Sequence, residues 1–294
     1  MRPLSLPGRI LVTGANGFMG KNAVELLGPN AIALPRTSLD LTIPAEVERC
    51  LDETRPWAVL NAAALADVER AEADPELAWR INATAPGQLA RACAARGIHL
   101  CHLSTDYVFG GRPDRRYEVN DPTSPVNHYG ASKVEGERLV LLHHPQALVA
   151  RTAWVFGRHS WGSAARALER LLQNKPTEAI LDRFGHPSYV VDVIERCLEL
   201  LVLGVPGIYH VVNQGPTSWY AFILRLAERL ALPQELVRGV SHLELPPRAP
   251  RPVEVALQES PQRPGVDLPP LRAWQEAQDA WLRELVTIGM GQQR

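Results

Sequence analysis

Residues 9–20 read RILVTGANGFMG. A buried-strand pattern, RILVT at 9–13, runs directly into a turn with glycines at 14, 17 and 20, and residues 20–27 then read as a helix. Each glycine has its own reason. Gly14 permits the tight turn, Gly17 lets backbone approach a pyrophosphate, and Gly20 allows the helix to pack close to the sheet. The helix N-terminus attracts phosphate charge. A glycine triplet alone is a weak sign, because a tight turn without a ligand has the same spacing. Its weight here comes from standing between a strand and a helix at the start of a βα series. Asn16, Phe18 and Met19 belong to the same turn and are read with the glycines as cofactor contacts.

Moving outward, short apolar runs alternate with helical patterns. Strands are expected at 31–34, 57–61, 98–104 and 147–155, and helices at 45–54, 75–97 and 126–142. The apolar runs lack strict alternation, which fits strands covered on both faces. The rhythm predicts an α/β chain with a Rossmann-like, doubly wound parallel sheet. After residue 155 it breaks. Helices are expected at 163–173, 191–203, 218–230 and 271–286, with a late strand at 207–212. Nine of the 25 prolines lie between Pro233 and Pro270, which predicts an irregular segment there. The reading is a dinucleotide-binding domain at 1–156, joined by the late strand, and a smaller C-terminal substrate-binding lobe at 157–294.

The second strand is expected to end in Leu34, Pro35 and Arg36. An acid that would grip an adenine ribose is absent there, and an arginine can pair with a 2′-phosphate, so NADPH is preferred over NADH. A solvated arginine is the alternative. Asp40 and Leu41 follow and are expected to flank the adenine. After the third strand comes NAAA at 61–64; Ala62, Ala63 and Ala64 let a flat cofactor lie against backbone.

Residues 129–133 read YGASK. Tyr129 and Lys133 are i and i+4 and share one helix face. A neighbouring ammonium favours the phenolate of a tyrosine, so Tyr129 can protonate a carbonyl oxygen as hydride arrives, and Lys133 can hold the nicotinamide ribose. Ser104 and Thr105 stand at the carboxyl end of the preceding strand, where ligands bind in open α/β sheets. The Thr105 hydroxyl can donate to a developing oxyanion.

Composition narrows the partners. Hydrophobic residues make up 46% and charged residues 21%, with a net charge of -1, so nothing points to nucleic acid. No stretch reaches the ~20 apolar residues of a membrane helix. Residues 1–8 carry one arginine and no long apolar run, so a cytoplasmic location is expected. Cys50, Cys93, Cys101 and Cys197 form no C-x-x-C pair and no cluster with histidine, so they read as buried thiols and no metal is expected.

TGANGFMG, NAAA, STDYVF and YGASK in this order resemble the extended short-chain dehydrogenase/reductases. STDYVF, P-x-N-x-YG-x-SK-x-x-GE at 125–137, RTAWVFG at 151–157, GHPS at 185–188, GIYHVVN and TSWY resemble the dTDP-4-dehydrorhamnose reductase family more narrowly. The resemblance implies reduction of a nucleotide-linked 4-keto-6-deoxysugar by NAD(P)H. It places the catalytic roles on Thr105, Tyr129 and Lys133, and substrate contacts on Asp106, Trp154 and Arg251 beside Thr105 and Tyr129. A helix-mediated homodimer is the expected assembly.

The chain departs from the family pattern at Leu65, Ala66, Glu69 and Gly110, and at RPVEV, 251–255. Those departures leave open a 4-ketoreductase for another nucleotide deoxysugar. A non-catalytic regulatory subunit, like that of methionine adenosyltransferase, shares the fold; the intact Thr105, Tyr129 and Lys133 weigh against it.

Overall fold

Ile10 and Val12 turn to one face of the central sheet and Leu11 to the other, and all three are fully buried. Successive side chains of a strand alternate in direction, so an unbroken apolar run requires cover on both sides. The computed structural model describes residues 5–34, 37–160, 162–246, 248–258 and 268–291.

The strands β1 (Ile10–Thr13), β2 (Ala31–Ala33), β3 (Ala58–Asn61), β4 (His99–Thr105) and β5 (Leu148–Thr152) join β10 (Gly207–His210) in one sheet of order β10-β5-β4-β3-β1-β2. Every pairing is parallel. Helices α1 (Phe18–Leu27) and α8 (Val190–Val202) cover the Ile10 face, while α2 (Pro44–Thr54), α5 (Ala85–Ala94) and α6 (His128–His143) cover the Leu11 face. From β1 the chain runs outward to β2 and then returns to the other side for β3. That reversal opens a crevice beyond the carboxyl ends of β1 and β3.

The region expected as one helix at 75–97 contains α4 (Pro75–Trp79), a π turn (Arg80–Thr84) and α5. The widened turn lets Asn82 hold other segments. Its Nδ2 donates to Leu65 O and Ser132 Oγ, and its Oδ1 accepts from Leu65 N–H at 2.8 Å. A short α3 (Val68–Ala73) precedes it, capped by Asp67. The strand expected at 147–155 ends at Thr152, because Trp154 adopts a left-handed φ of 42° that pleated pairing does not accommodate. β6 (Val155–Phe156) then pairs with β9 (Ser188–Tyr189).

The remainder adds α7 (Ser163–Leu172), β7 (Thr177–Ile180), β8 (Phe184–Gly185), β11 (Thr217–Ser218), α9 (Trp219–Arg229), β12 (Val237–Val240) and α10 (Trp274–Gly291). β7 and β12 form a separate parallel pair, with β12 inside the proline-rich segment. The core of this region is continuous with that of the sheet. One cluster runs from Ile10 and Val12 through Phe156 to Phe222 and Trp281.

Candidate active site

The turn after β1 is built on two close approaches. Gly14 has a φ of +65°, and a Cβ there would lie 2.8 Å from Ala63 backbone. A Cβ on Gly20 would lie 2.1 Å from Gly14 O, so the turn and the first turn of α1 touch backbone to backbone. Gly14, Asn16 and Gly17 line a cavity of about 390 Å³, together with Asp40, Leu41 and residues 62–64. Gly20 serves the packing and does not face the cavity. Asp40 turns the chain by accepting from Thr42 N–H and hydroxyl. Arg36, expected at the adenine ribose, lies outside the described residues.

A second cavity, of about 520 Å³, shares Ala62 and Ala64 with the first. Phe18, Met19, Ser104, Thr105, Asp106, Tyr129, Lys133, Trp154 and Arg251 line it. The sequence therefore names one wall of each cavity, and the two cavities meet at the small residues that follow β3.

Asn127 starts α6 by accepting from Gly130 N–H at 2.7 Å. That fixes Tyr129 in the first turn and Lys133 one turn later. The Tyr129 phenol hydrogen-bonds Thr105, and burial raises its pKa well above the usual value, so it is a phenol at neutral pH. Thr105 Oγ1 donates to Asp106 Oδ1 at 3.0 Å and accepts from Tyr107 N–H at 3.2 Å. Burial pushes the Asp106 carboxyl up to about 7, against the hydrogen bond from Thr105. Lys133 Nζ donates to Leu103 O at 2.7 Å, and burial pulls its pKa down to about 8, partly offset by Glu137.

Ser104 lines the cavity, and its hydroxyl donates to Glu137 Oε1 at 2.5 Å. Glu137 is also held by Arg151 at 2.7 Å in a buried pair, so Arg151 supports α6 and lines neither cavity.

Arg166, Arg183 and Trp219 line the large cavity without a site role read from the sequence, whereas Trp154, Arg248 and Arg251 are expected there as substrate contacts. Trp154 stacks on Trp219, ring centroids 4.9 Å apart and planes 6° apart, and both indoles line the cavity. Arg166, Arg183 and Arg248 line it with Arg251. Burial and the neighbouring Arg251 and Arg248 charges lower the pKa of Arg183. Arg251 is anchored from outside, since Glu69 Oε1 lies 2.8 Å from its Nη2 and Glu69 Oε2 accepts from Ala249 N–H. In the basic loop after STDYVF, Arg112 and Arg115 both pair with Asp121. Among the described residues there is no grouping of three or more metal-ligating side chains and no helix long and apolar enough to cross a membrane.

A glycine-turn crevice at the sheet reversal, with a Thr-Tyr-Lys set on its flank, defines a reductase of the extended short-chain dehydrogenase/reductase type. Residues 8–287 match the model of the RmlD substrate binding domain. The chain belongs to the dTDP-4-dehydrorhamnose reductase family. It is 38% identical to the dTDP-4-dehydrorhamnose reductase of Mycolicibacterium smegmatis over 92% of this chain and 84% of that one. It is also 38% identical to the dTDP-4-keto-6-deoxy-D-glucose reductase of Streptomyces niveus, over 72% of this chain and 75% of that one. The crystal structure of dTDP-4-dehydrorhamnose reductase from Bacillus anthracis in complex with NADP superposes with a TM-score of 0.90. The match is at 30% identity and covers 95% of this chain and 100% of that one.

Proposed function

We propose that the chain uses NADPH to reduce the 4-keto group of a dTDP-linked 6-deoxysugar, the reaction of a dTDP-4-dehydrorhamnose reductase. The observation that carries this reading is the junction of two cavities at Ala62 and Ala64, with Tyr129 and Lys133 on the wall of the larger one. The smaller cavity fits the dinucleotide: Gly14, Asn16 and Gly17 offer close backbone and a helix N-terminus to a pyrophosphate, and Asp40 and Leu41 flank the adenine. When bound, the nicotinamide supplies the hydride.

This chain's residues handle the proton and the pose. Tyr129 gives its phenolic proton to the sugar carbonyl oxygen. Lys133, as an ammonium, stabilises the phenolate left behind. Thr105 orients the carbonyl oxygen beside Tyr129. The stacked Trp154 and Trp219 offer an apolar wall to the deoxysugar, and Arg166, Arg183, Arg248 and Arg251 offer positive charge to the diphosphate. We assign residues 1–156 and the strand at 207–212 to the cofactor half, and the remainder to the substrate half.

The preference for NADPH follows from Arg36 in the sequence and agrees with the NADP-bound Bacillus anthracis relative. A cytoplasmic location and a homodimer complete the reading. The likeness to the Streptomyces niveus reductase favours a second substrate in the same class, another dTDP-4-keto-6-deoxysugar. The test is loss of nicotinamide absorbance when NADPH or NADH is mixed with each member of a panel of dTDP-4-keto sugars. The preferred sugar must give the highest kcat/KM, and silence with all of them would refute the proposal.

A further inference from the structure

We propose that His102 is a positioning residue that controls the charge of Lys133 through the tautomer of its imidazole. His102 lies on β4 and is completely buried. Its Nε2 stands 3.1 Å from Lys133 Nζ, and its Nδ1 stands 2.9 Å from Asn61 Nδ2. Asn61 ends β3. Its Oδ1 accepts from the Thr13 hydroxyl at 2.6 Å and from Ala63 N–H at 3.3 Å.

A hydroxyl can rotate, but a backbone N–H cannot. The Ala63 N–H therefore selects the amide orientation in which Oδ1 faces it and Nδ2 faces the imidazole. Nδ1 of His102 must then accept. Burial holds the ring neutral, so its single proton sits on Nε2 and points at Lys133. Only a neutral amine has a lone pair to receive it. For Lys133 to be an ammonium with a partner at this side, three changes must occur together. His102 moves its proton to Nδ1, Asn61 turns its amide over, and Ala63 N–H loses its acceptor. Ala63 lines the cavity beside Gly14, so the proton on Lys133 is tied to the floor of the cofactor side.

Other groups act on the same amine. Glu137, one turn along α6 and held by Arg151 of β5, favours the ammonium. Tyr129 lies one turn back on α6, and Asp106, directly after β4, adjoins Tyr129. Burial draws the Lys133 pKa down to about 8, and the His102 tautomer works in the same direction.

This inference rests on the ketoreductase reading, in which Lys133 works as an ammonium and activity falls as it loses its proton. The experiment is the pH dependence of kcat/KM for the preferred dTDP-4-keto sugar in wild type, His102→Gln and Asn61→Asp. A glutamine amide can turn its oxygen to the ammonium. An aspartate at 61 only accepts, which forces the proton to Nδ1 and frees Nε2 to accept from Lys133. Both substitutions are expected to move the basic limb upward by about one pH unit. The Asp106 titration is touched by neither and serves as the internal reference. A merely structural role lowers kcat at all pH values and leaves the limb in place; that result in either folded variant overturns the proposal. If His102→Gln does not fold, the ¹⁵N tautomer of His102 in wild type decides, because the new carboxylate of Asn61→Asp also favours the ammonium directly. If wild type reduces no keto sugar, the ketoreductase reading fails. The ¹⁵N resonances of histidine-labelled wild type still settle the tautomer, because a His102 ring protonated at Nδ1 overturns the assignment.

Discussion

Glu69 Oε1 lies 2.8 Å from Arg251 Nη2 and ties the segment that follows β3 to the loop at the far wall of the large cavity. The Glu69 side chain is 49% exposed, so the pair contributes at most ~1 kcal/mol to stability. Its consequence is positional. Arg251 lines the cavity with Arg166, Arg183 and Arg248, and Glu69 also fixes the backbone at Ala249. Glu69→Gln is therefore expected to leave thermal unfolding within ~2 °C of wild type. The same change should raise KM for the nucleotide sugar by roughly threefold to tenfold, with KM for NADPH unchanged. Steady-state kinetics with each substrate varied in turn checks this. A rise in both KM values would show that Glu69 acts on the whole crevice.

Tyr129→Phe removes one oxygen from a ring packed against Leu65, Ala71 and Ala78. The packing survives and the proton donor does not. A positioned acid is worth about 10²–10⁴-fold, so kcat is expected to fall by that factor while the NADPH dissociation constant, read by fluorescence, stays within about twofold. Full turnover in this variant would remove Tyr129 from the chemistry.

Much of this was readable because it is local. The glycine turn, the i, i+4 spacing of Tyr129 and Lys133, and the strand ending at Thr105 each lie within a few residues of sequence, and the period of apolar residues places them on strands and helices. What escaped depends on contacts between distant segments. Asn82 has no local signature, yet it joins the chain after β3 to Ser132 on α6. The left-handed Trp154 and its stack on Trp219 need two segments brought together by the fold. The departures also acquire reasons only in three dimensions. Ala66 lines the large cavity, Glu69 answers Arg251, and a Cβ on Gly110 would lie 2.7 Å from Ser124 O.

Asp106 predicts a pH dependence of stability. Burial raises its folded pKa to about 7 from a usual value of 3.8, so between those values the folded state holds more protons than the unfolded state. Its contribution is greatest below about pH 4 and is lost as pH rises through about 7. At pH 8 the ionised carboxylate is buried, a cost on the order of a few kcal/mol. Asp106→Asn keeps an acceptor for Thr105 and removes that charge. The variant should melt several degrees above wild type at pH 8, and the gap should close toward pH 5. Calorimetry across that range is the check, and parallel curves would mean that Asp106 titrates as an ordinary carboxylate.

Gly14→Ala tests the crevice itself. Two penalties meet at this position. A φ of +65° costs an alanine roughly 1–2 kcal/mol, and its Cβ would stand 2.8 Å from the Ala63 Cα and N, which are backbone atoms with no rotamer to move aside. Relief requires the turn after β1 and the segment after β3 to separate, and those are the two walls of the smaller cavity. Relief in the other direction is closed, because Gly20 packs on Gly14 O. The strain must therefore appear as lost stability and as a misplaced pyrophosphate site. NADPH affinity is expected to fall at least tenfold, about 1.4 kcal/mol, with a lowered melting temperature. Gly17, whose Cβ would meet only Gly14 O at 3.2 Å, gives the contrast. Gly17→Ala should lose NADPH affinity with little change in melting, because its methyl would enter the cavity proposed for the pyrophosphate rather than press on the fold. Equal melting losses in the two variants would show that the crevice walls are not held by the Gly14 contact.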